Sequence, residues 1–172
     1  MSKPIEVIAY TDGGCEPNPG TGGWGFLLVH LKSGVALAGR GGQENTTNNK
    51  MEFRGAIQAL RALKRRTVIE IRSDSQYLVN TMTKWVEGWK SRGWRKGDGK
   101  TPKNLGIVQE LYQLCNEHEV YWTWVRGHSG DPANEYVDRL AAEAISVLFQ
   151  GQMPQWQERM DRPPVKVEGV EL

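Results

Sequence analysis

At 172 residues the chain has the size of one domain and enough length to bury a core without disulfide staples. Its 38% hydrophobic and 24% charged residues are ordinary for a soluble globular protein, and a formal net charge of +2 does not by itself mark a nucleic-acid binder. With two cysteines, no apolar leader and no apolar run long enough to span a bilayer, a disulfide framework, a secreted protein and a membrane partner are all disfavoured, and a reducing, cytoplasmic setting is expected.

Residues 6–11 read as a strand, with Val7, Ile8, Ala9 and Tyr10 as its apolar run. Gly and Pro then punctuate the chain to Gly23, which predicts a tight polar loop opening at Asp12. Open α/β sheets bind ligands where a central strand leaves the core, so Asp12 is a candidate, although an Asp before Gly is commonly a turn residue. Residues 24–31 and 35–38 read as two further strands joined at Ser33-Gly34, giving an antiparallel meander. The polar run Asn45-Thr46-Thr47-Asn48-Asn49 has helix-capping chemistry. It precedes a helix on which Phe53, Ala56, Ile57, Leu60 and Leu63 share one stripe. Glu52 is expected in the first turn, where the helix dipole alone would favour a negative charge. Residues 67–73 alternate as a strand ending at Asp74. A strand–helix–strand crossover makes it parallel to the first, so Asp12 and Asp74 end at one edge of the sheet. Asp74 is also a candidate N-cap for the helical residues that follow.

Residues 83–104 form the one strongly basic stretch. Trp85 and Trp89 are one helical turn apart, and Lys90, Arg92, Arg95, Lys96, Lys100 and Lys103 are interleaved with Trp89 and Trp94. Such a mixture suits a phosphate backbone; the alternative is a solvated basic loop whose indoles pack inward. Gly97-Asp98-Gly99 marks a mobile tip. A helix over 105–117 and a core strand over 120–125 follow, with Trp122 and Trp124 expected in the core. The loop RGHSGDPA carries His128. Asp131 and Pro132 open a last helix, on which Val137, Leu140, Ala141, Ala144 and Leu148 are the core stripe. Asp138 borders that stripe and is not needed as a cap. Residues 149–172 change composition and read as a tail. The sequence leaves open whether it is flexible or docked through Trp156 or VKVEGV.

Asp12, Glu52, Asp74 and Asp138 cannot all ionise at close range without a cation. Oxygen-only ligands suit Mg²⁺ or Mn²⁺, and several carboxylates around one site suggest two ions and phosphodiester chemistry. The basic tryptophan stretch independently suggests a polyanionic substrate.

The motifs TDGGCEPNPGTGGWG, TTNNKMEFRGAIQAL, SDSQYLV, TKWVEGWKSRGW and WVRGHSGDPANEYVDRLA resemble, in this order, bacterial type-1 ribonuclease H in its protrusion-containing form, over about residues 5–147. The resemblance implies an α/β fold with a five-stranded mixed sheet, three strands antiparallel and the rest parallel, and helices on both faces. It divides the chain into a catalytic domain, residues 1–148, with a basic protrusion at about 83–104, and the tail 149–172. It implies an endoribonuclease that hydrolyses the RNA strand of RNA–DNA hybrids, leaving 5′-phosphate and 3′-hydroxyl ends. Asp12, Glu52, Asp74 and Asp138 would hold two Mg²⁺ ions, for which Mn²⁺ can substitute, and His128 would be a proton shuttle or an aid to product release. By the same resemblance the Cys15 backbone, Asn48, Glu52 and Gln76 line the RNA strand. Asn18, Thr47, Asn49, Trp85 and Asn104 are candidates for the DNA strand, with Trp89, Lys90, Lys96 and Lys100 in the protrusion. A monomer is implied, and recruitment by single-stranded DNA-binding protein is known among bacterial relatives. Gly14 and Phe53 depart from the residues common there, and Gly97-Asp98-Gly99 would loosen the protrusion. Competing readings are a resolvase- or transposase-like nuclease on the same fold, a non-catalytic hybrid-binding module, and a plain α/β domain whose acids are caps and whose tryptophans are core.

Overall fold

The structure is a computed structural model and describes residues 3–171. Six strands form one sheet in the order β5-β4-β1-β2-β3-β6. They are β1 (Val7–Glu16), β2 (Gly20–His30), β3 (Ala36–Thr46), β4 (Val68–Ser73), β5 (Glu119–Trp124) and β6 (Trp156–Met160). The first three make the antiparallel meander, and β4 and β5 pair parallel to it, as the crossover rule requires. The helices are α1 (Asn48–Arg61), α2 (Gln76–Asn80), α3 (Val86–Ser91), α4 (Leu105–Asn116) and α5 (Pro132–Phe149), with a π turn, Thr81–Trp85, between α2 and α3.

Alternation along β1 and β2 places a core on each face. Val7, Ala9, Trp24, Phe26 and Leu28 pack with α1 and α4, whereas Ile8, Tyr10, Leu27 and Val29 pack with α5. Strands buried on both faces explain the dense apolar run at residues 7–10.

Several expectations need correction. The sheet has six strands, not five, because Trp156–Met160 pairs antiparallel with β3, from Ala36↔Met160 to Arg40↔Trp156. The chain beyond it also docks: Val167 is buried, beside Val165 and Val170, against Ile8 and Tyr10. Of the two alternatives for residues 149–172, these contacts match the docked one. Residues 12–16 are not loop, since β1 continues from Asp12↔Gly25 to Glu16↔Thr21. The glycines that read as turn signals serve close packing instead. A Cβ on Gly13 would stand 2.2 Å from the Met51 carbonyl carbon. β3 likewise runs on to Thr46, with Gly41 lying under the Trp24 ring.

Two capping expectations also change. α1 begins at Asn48, capped by Thr47, whose Oγ1 accepts from Lys50 N–H at 3.2 Å. Glu52 therefore sits beyond the first turn, and a dipole role no longer accounts for it. Ser75, not Asp74, caps α2, its hydroxyl accepting from Leu78 N–H at 3.1 Å. Asp131 does cap α5, accepting from the Ala133 and Asn134 amides. In the basic stretch Trp89 is buried and Trp94 is half-buried, edge-on to Tyr112 at 5.5 Å. Those two indoles pack inward, and Trp85 is the exposed one. The core expectation for β5 fails at Trp124, which is 44% exposed and donates from Nε1 to the Asp74 carbonyl at 3.1 Å.

Candidate active site

The β1–β4 pairing ends at Thr11↔Ser73, so the next residues, Asp12, which stays paired to β2, and Asp74, which follows β4, lie at the same level of the sheet edge. α1 crosses the same edge and brings Glu52 to both. Each of Asp12, Glu52 and Asp74 offers a carboxylate oxygen, and these atoms lie within 4.8 Å of one another. Asp12 is buried, and Glu52 Oε1 is enclosed without a hydrogen-bond partner. Among the described residues, no salt bridge joins the three to a cationic side chain.

The electrostatic consequence is large. Burial, and next the Asp74 charge, push the Asp12 carboxyl up to about 8. Burial, then Asp12 and Asp74, hold Glu52 well above the usual carboxylate range. Such a cluster is unfavourable as three anions and suits a hard divalent cation, which would neutralise the charge and occupy the orphaned Glu52 oxygen. The residues present therefore fit a metal.

Asp138 stands apart from this trio. It is exposed on α5, yet near enough to Asp12 for a side-chain hydrogen bond that adds to the upward shift there. His128 is exposed in its loop with a left-handed φ of 54°. The loop backbone abuts the trio, because a Cβ on the neighbouring Gly127 would stand 2.9 Å from Asp74 Oδ2.

The other candidate residues fall into two groups. Asn18 Oδ1 accepts from the Asn48 amide at 3.1 Å, which ties the β1–β2 turn to the start of α1 and gathers Asn18, Thr47, Asn48 and Asn49 at that end. Cys15 Sγ lies 3.1 Å from the Pro17 carbonyl and 3.3 Å from that of Thr46. Gln76 is exposed at the start of α2. Asn104 adopts φ 60° before α4 and lines a hollow of about 310 Å³ with Lys50 and Arg54.

The second group lies around the protrusion. Trp85 and Trp89 stack at 6.2 Å, and Tyr77 meets Trp85 at 6.3 Å. With Lys96 and Lys103 they line an open hollow of about 330 Å³, an aromatic floor with cationic walls. Lys90 does not join it, since its ammonium lies over the Tyr112 ring at 5.2 Å. Lys100 is exposed at the tip, where Asp98 Oδ1 accepts from its amide at 2.9 Å.

Asn134 and Tyr77 were not singled out from the sequence. Asn134 is nearly fully buried and donates from Nδ2 to Asp74 Oδ2 at 3.3 Å. Its signal was the spacing to Asp138, one helical turn on, which puts both residues on one face of α5.

Comparison with known proteins points to one family. The family model described as RNase H matches residues 4–146. A "Ribonuclease H" of Cupriavidus pinatubonensis is 48% identical over 143 residues, which span 83% of this chain and 97% of that protein. Among solved structures, LC9-RNase H1, a type 1 RNase H with the type 2 active-site motif, superposes with a TM-score of 0.75 at 32% identity, covering 94% of this chain and 78% of that one. LC11-RNase H1, solved in complex with an RNA/DNA hybrid, superposes with a TM-score of 0.65 at 25% identity, covering 83% of this chain and 99% of that one.

Proposed function

Because the chain belongs to the ribonuclease H family, we propose that Asp12, Glu52 and Asp74 hold the divalent cations of a hybrid-cleaving endoribonuclease. The protein is an endonuclease acting on the RNA strand of RNA–DNA hybrids. The observation that carries the metal assignment is the convergence of three carboxylates, one of them buried and another with an orphaned oxygen. Their oxygen-only chemistry favours two Mg²⁺ ions, with Mn²⁺ as substitute. Bound there, the ions supply the Lewis acidity for attack of water on phosphorus and for departure of the RNA 3′ oxygen.

The chain's own side chains do the rest. Asp12 and Glu52, set on β1 and α1, give the site a rigid floor. Asp138, at the rim and exposed, would be the fourth carboxylate to hold the ions. His128, exposed on a loop that abuts Asp74, takes at its imidazole the proton lost by the attacking water and returns it to solvent, while the departing 3′ oxygen takes up a proton from solvent. The products are a 5′-phosphate and a 3′-hydroxyl.

Hybrid selection needs two readings. On the RNA side the Cys15 backbone, Asn48, Glu52 and Gln76 meet the 2′-hydroxyls, which separate RNA from DNA. On the DNA side Asn18, Thr47, Asn49 and Asn104 meet phosphates, and Trp85 meets a sugar. Lys96, Lys100 and Lys103 add affinity without reading bases, so cleavage is largely independent of sequence. Among the described residues no helix is long and apolar enough to cross a membrane. The free thiols of Cys15 and Cys115 suit the reducing cytoplasmic setting expected for the chain.

The test is a labelled RNA–DNA hybrid with Mg²⁺, beside duplex DNA, duplex RNA and single-stranded RNA. Cutting confined to the RNA of the hybrid is expected. Cutting of duplex DNA would favour a resolvase-like enzyme, and binding without cutting a non-catalytic module.

A further inference from the structure

The segment after β6 has no part in the reaction as described, and it lies beyond residues 4–146 matched by the family. Yet it ends behind the site. Val167 is 1% exposed, in a cluster with Ile8, Tyr10, Ala133 and Val137. The adjacent Glu168 carbonyl accepts a 2.7 Å hydrogen bond from Arg72 Nη1. The same nitrogen donates its second hydrogen to Tyr10 Oη at 3.0 Å. Tyr10 then has one proton to give, and it goes to Asp131 Oδ2 at 3.1 Å. The other oxygen of Asp131 accepts from the Ala133 and Asn134 amides at 3.0 and 3.3 Å, which fixes the first turn of α5. From that turn Asn134 Nδ2 reaches Asp74 Oδ2 at 3.3 Å. A second observation points the same way. Lys166 and Glu168 wall a hollow of about 570 Å³ whose opposite side is the His128 loop, at Arg126, Ser129 and Gly130.

We propose that the C-terminal segment around Val167 and Glu168 is a positioning element of the catalytic site. Through Arg72, Tyr10 and Asp131 it sets the start of α5, and through Asn134 it orients the Asp74 carboxylate. The inference rests on Asp74 being a cation ligand. A ligating carboxylate held by one hydrogen bond presents its remaining oxygen in a fixed direction, and such outer partners tune both metal affinity and rate. Tyr10 and Arg72 never touch substrate in this scheme; they act through Asp131 and Asn134.

The experiment uses the full chain with Tyr10→Phe, which keeps the ring and removes only the hydroxyl, and with Val167→Asp, which expels the segment. Five quantities are read: kcat and KM on a hybrid, Mg²⁺ affinity by calorimetry, amide exchange over residues 131–138 without metal, and Tm. Tyr10→Phe is expected to lower kcat and weaken Mg²⁺ binding by about threefold to tenfold, the scale of one hydrogen bond, with KM unchanged. Exchange at the start of α5 should quicken. Val167→Asp should act in the same direction, and the double variant should lose no more than the larger single loss, since both cut one chain of contacts. Unchanged Mg²⁺ affinity and exchange in a folded Tyr10→Phe protein would overturn the proposal, as would fully additive losses. If Val167→Asp does not fold, Tyr10→Phe decides alone. Should the wild type fail to cut hybrids, the proposed function fails, while Mg²⁺ affinity and exchange still judge the positioning role.

Discussion

The Gly13 α-carbon lies so close to Glu52 that a Cβ placed on it would stand 2.4 Å from the Glu52 backbone nitrogen. β1 and α1 thus meet backbone to backbone at the site, and this approach sets the separation of the Asp12 and Glu52 carboxylates. Gly13→Ala is expected to push α1 outward, costing about 1–3 kcal/mol of stability. Hybrid cleavage should fall by roughly tenfold or more, because a displacement near 1 Å at a catalytic group is expensive. Gly14→Ala meets nothing within 4 Å and should stay within about 0.5 kcal/mol of the wild type. Thermal unfolding and initial rates on a hybrid check both variants.

The raised Asp12 carboxyl makes stability depend on pH when no metal is present. Its folded value is about 8, against ~4 for an unfolded Asp. Between these values the folded state holds a proton that the unfolded state has lost. The Asp12 contribution to stability is therefore fully present below about pH 4 and falls as pH rises toward 8, at up to ~1.4 kcal/mol per unit. The Tm of metal-free wild type, relative to Asp12→Asn, is expected to fall from pH 5 to pH 8. Saturating Mg²⁺ should raise the wild-type Tm more at pH 8 than at pH 5, since it binds the ionised form. A wild-type Tm that rises with pH relative to Asp12→Asn would contradict this.

Much of this site was legible because its residues are chemically conspicuous. Asp12 and Asp74 follow β-forming runs, and the strand–helix–strand order places both at one edge whatever the side chains around them. The stripe from Phe53 to Leu63 predicted the helix that carries Glu52. What the sequence hid is backbone proximity. Gly13 is read as a turn signal because glycine usually is one, whereas here it makes room for α1. β6 was also obscure, because a five-residue edge strand with Gln157, Glu158 and Arg159 exposed has little alternation to detect. The inward packing of Trp89 and Trp94 depends on α4 and Tyr112, which are remote in sequence.

The hollow between Trp85 and the protrusion lysines separates two contributions to hybrid affinity. Trp85, 40% exposed, offers apolar surface, so Trp85→Ala should cost on the order of 1 kcal/mol of binding, with the salt dependence unchanged. Replacing Lys96 and Lys100 by Ala should instead make the plot of log affinity against log salt shallower by roughly 1 to 2. Titrations at three salt concentrations with catalytically dead protein distinguish them. An unchanged slope in the lysine variant would remove the protrusion from the interface.

The most direct test of the central claim is cleavage of a labelled RNA–DNA hybrid by the wild type and by Asp74→Asn, with Mg²⁺ and with EDTA, alongside hybrid binding by the same proteins. The wild type is expected to cut only with Mg²⁺, and the variant to lose cutting by roughly a thousandfold or more while keeping its hybrid affinity, because it loses a carboxylate proposed to hold the cation. Cutting by the wild type in EDTA, or undiminished cutting by Asp74→Asn, would contradict it.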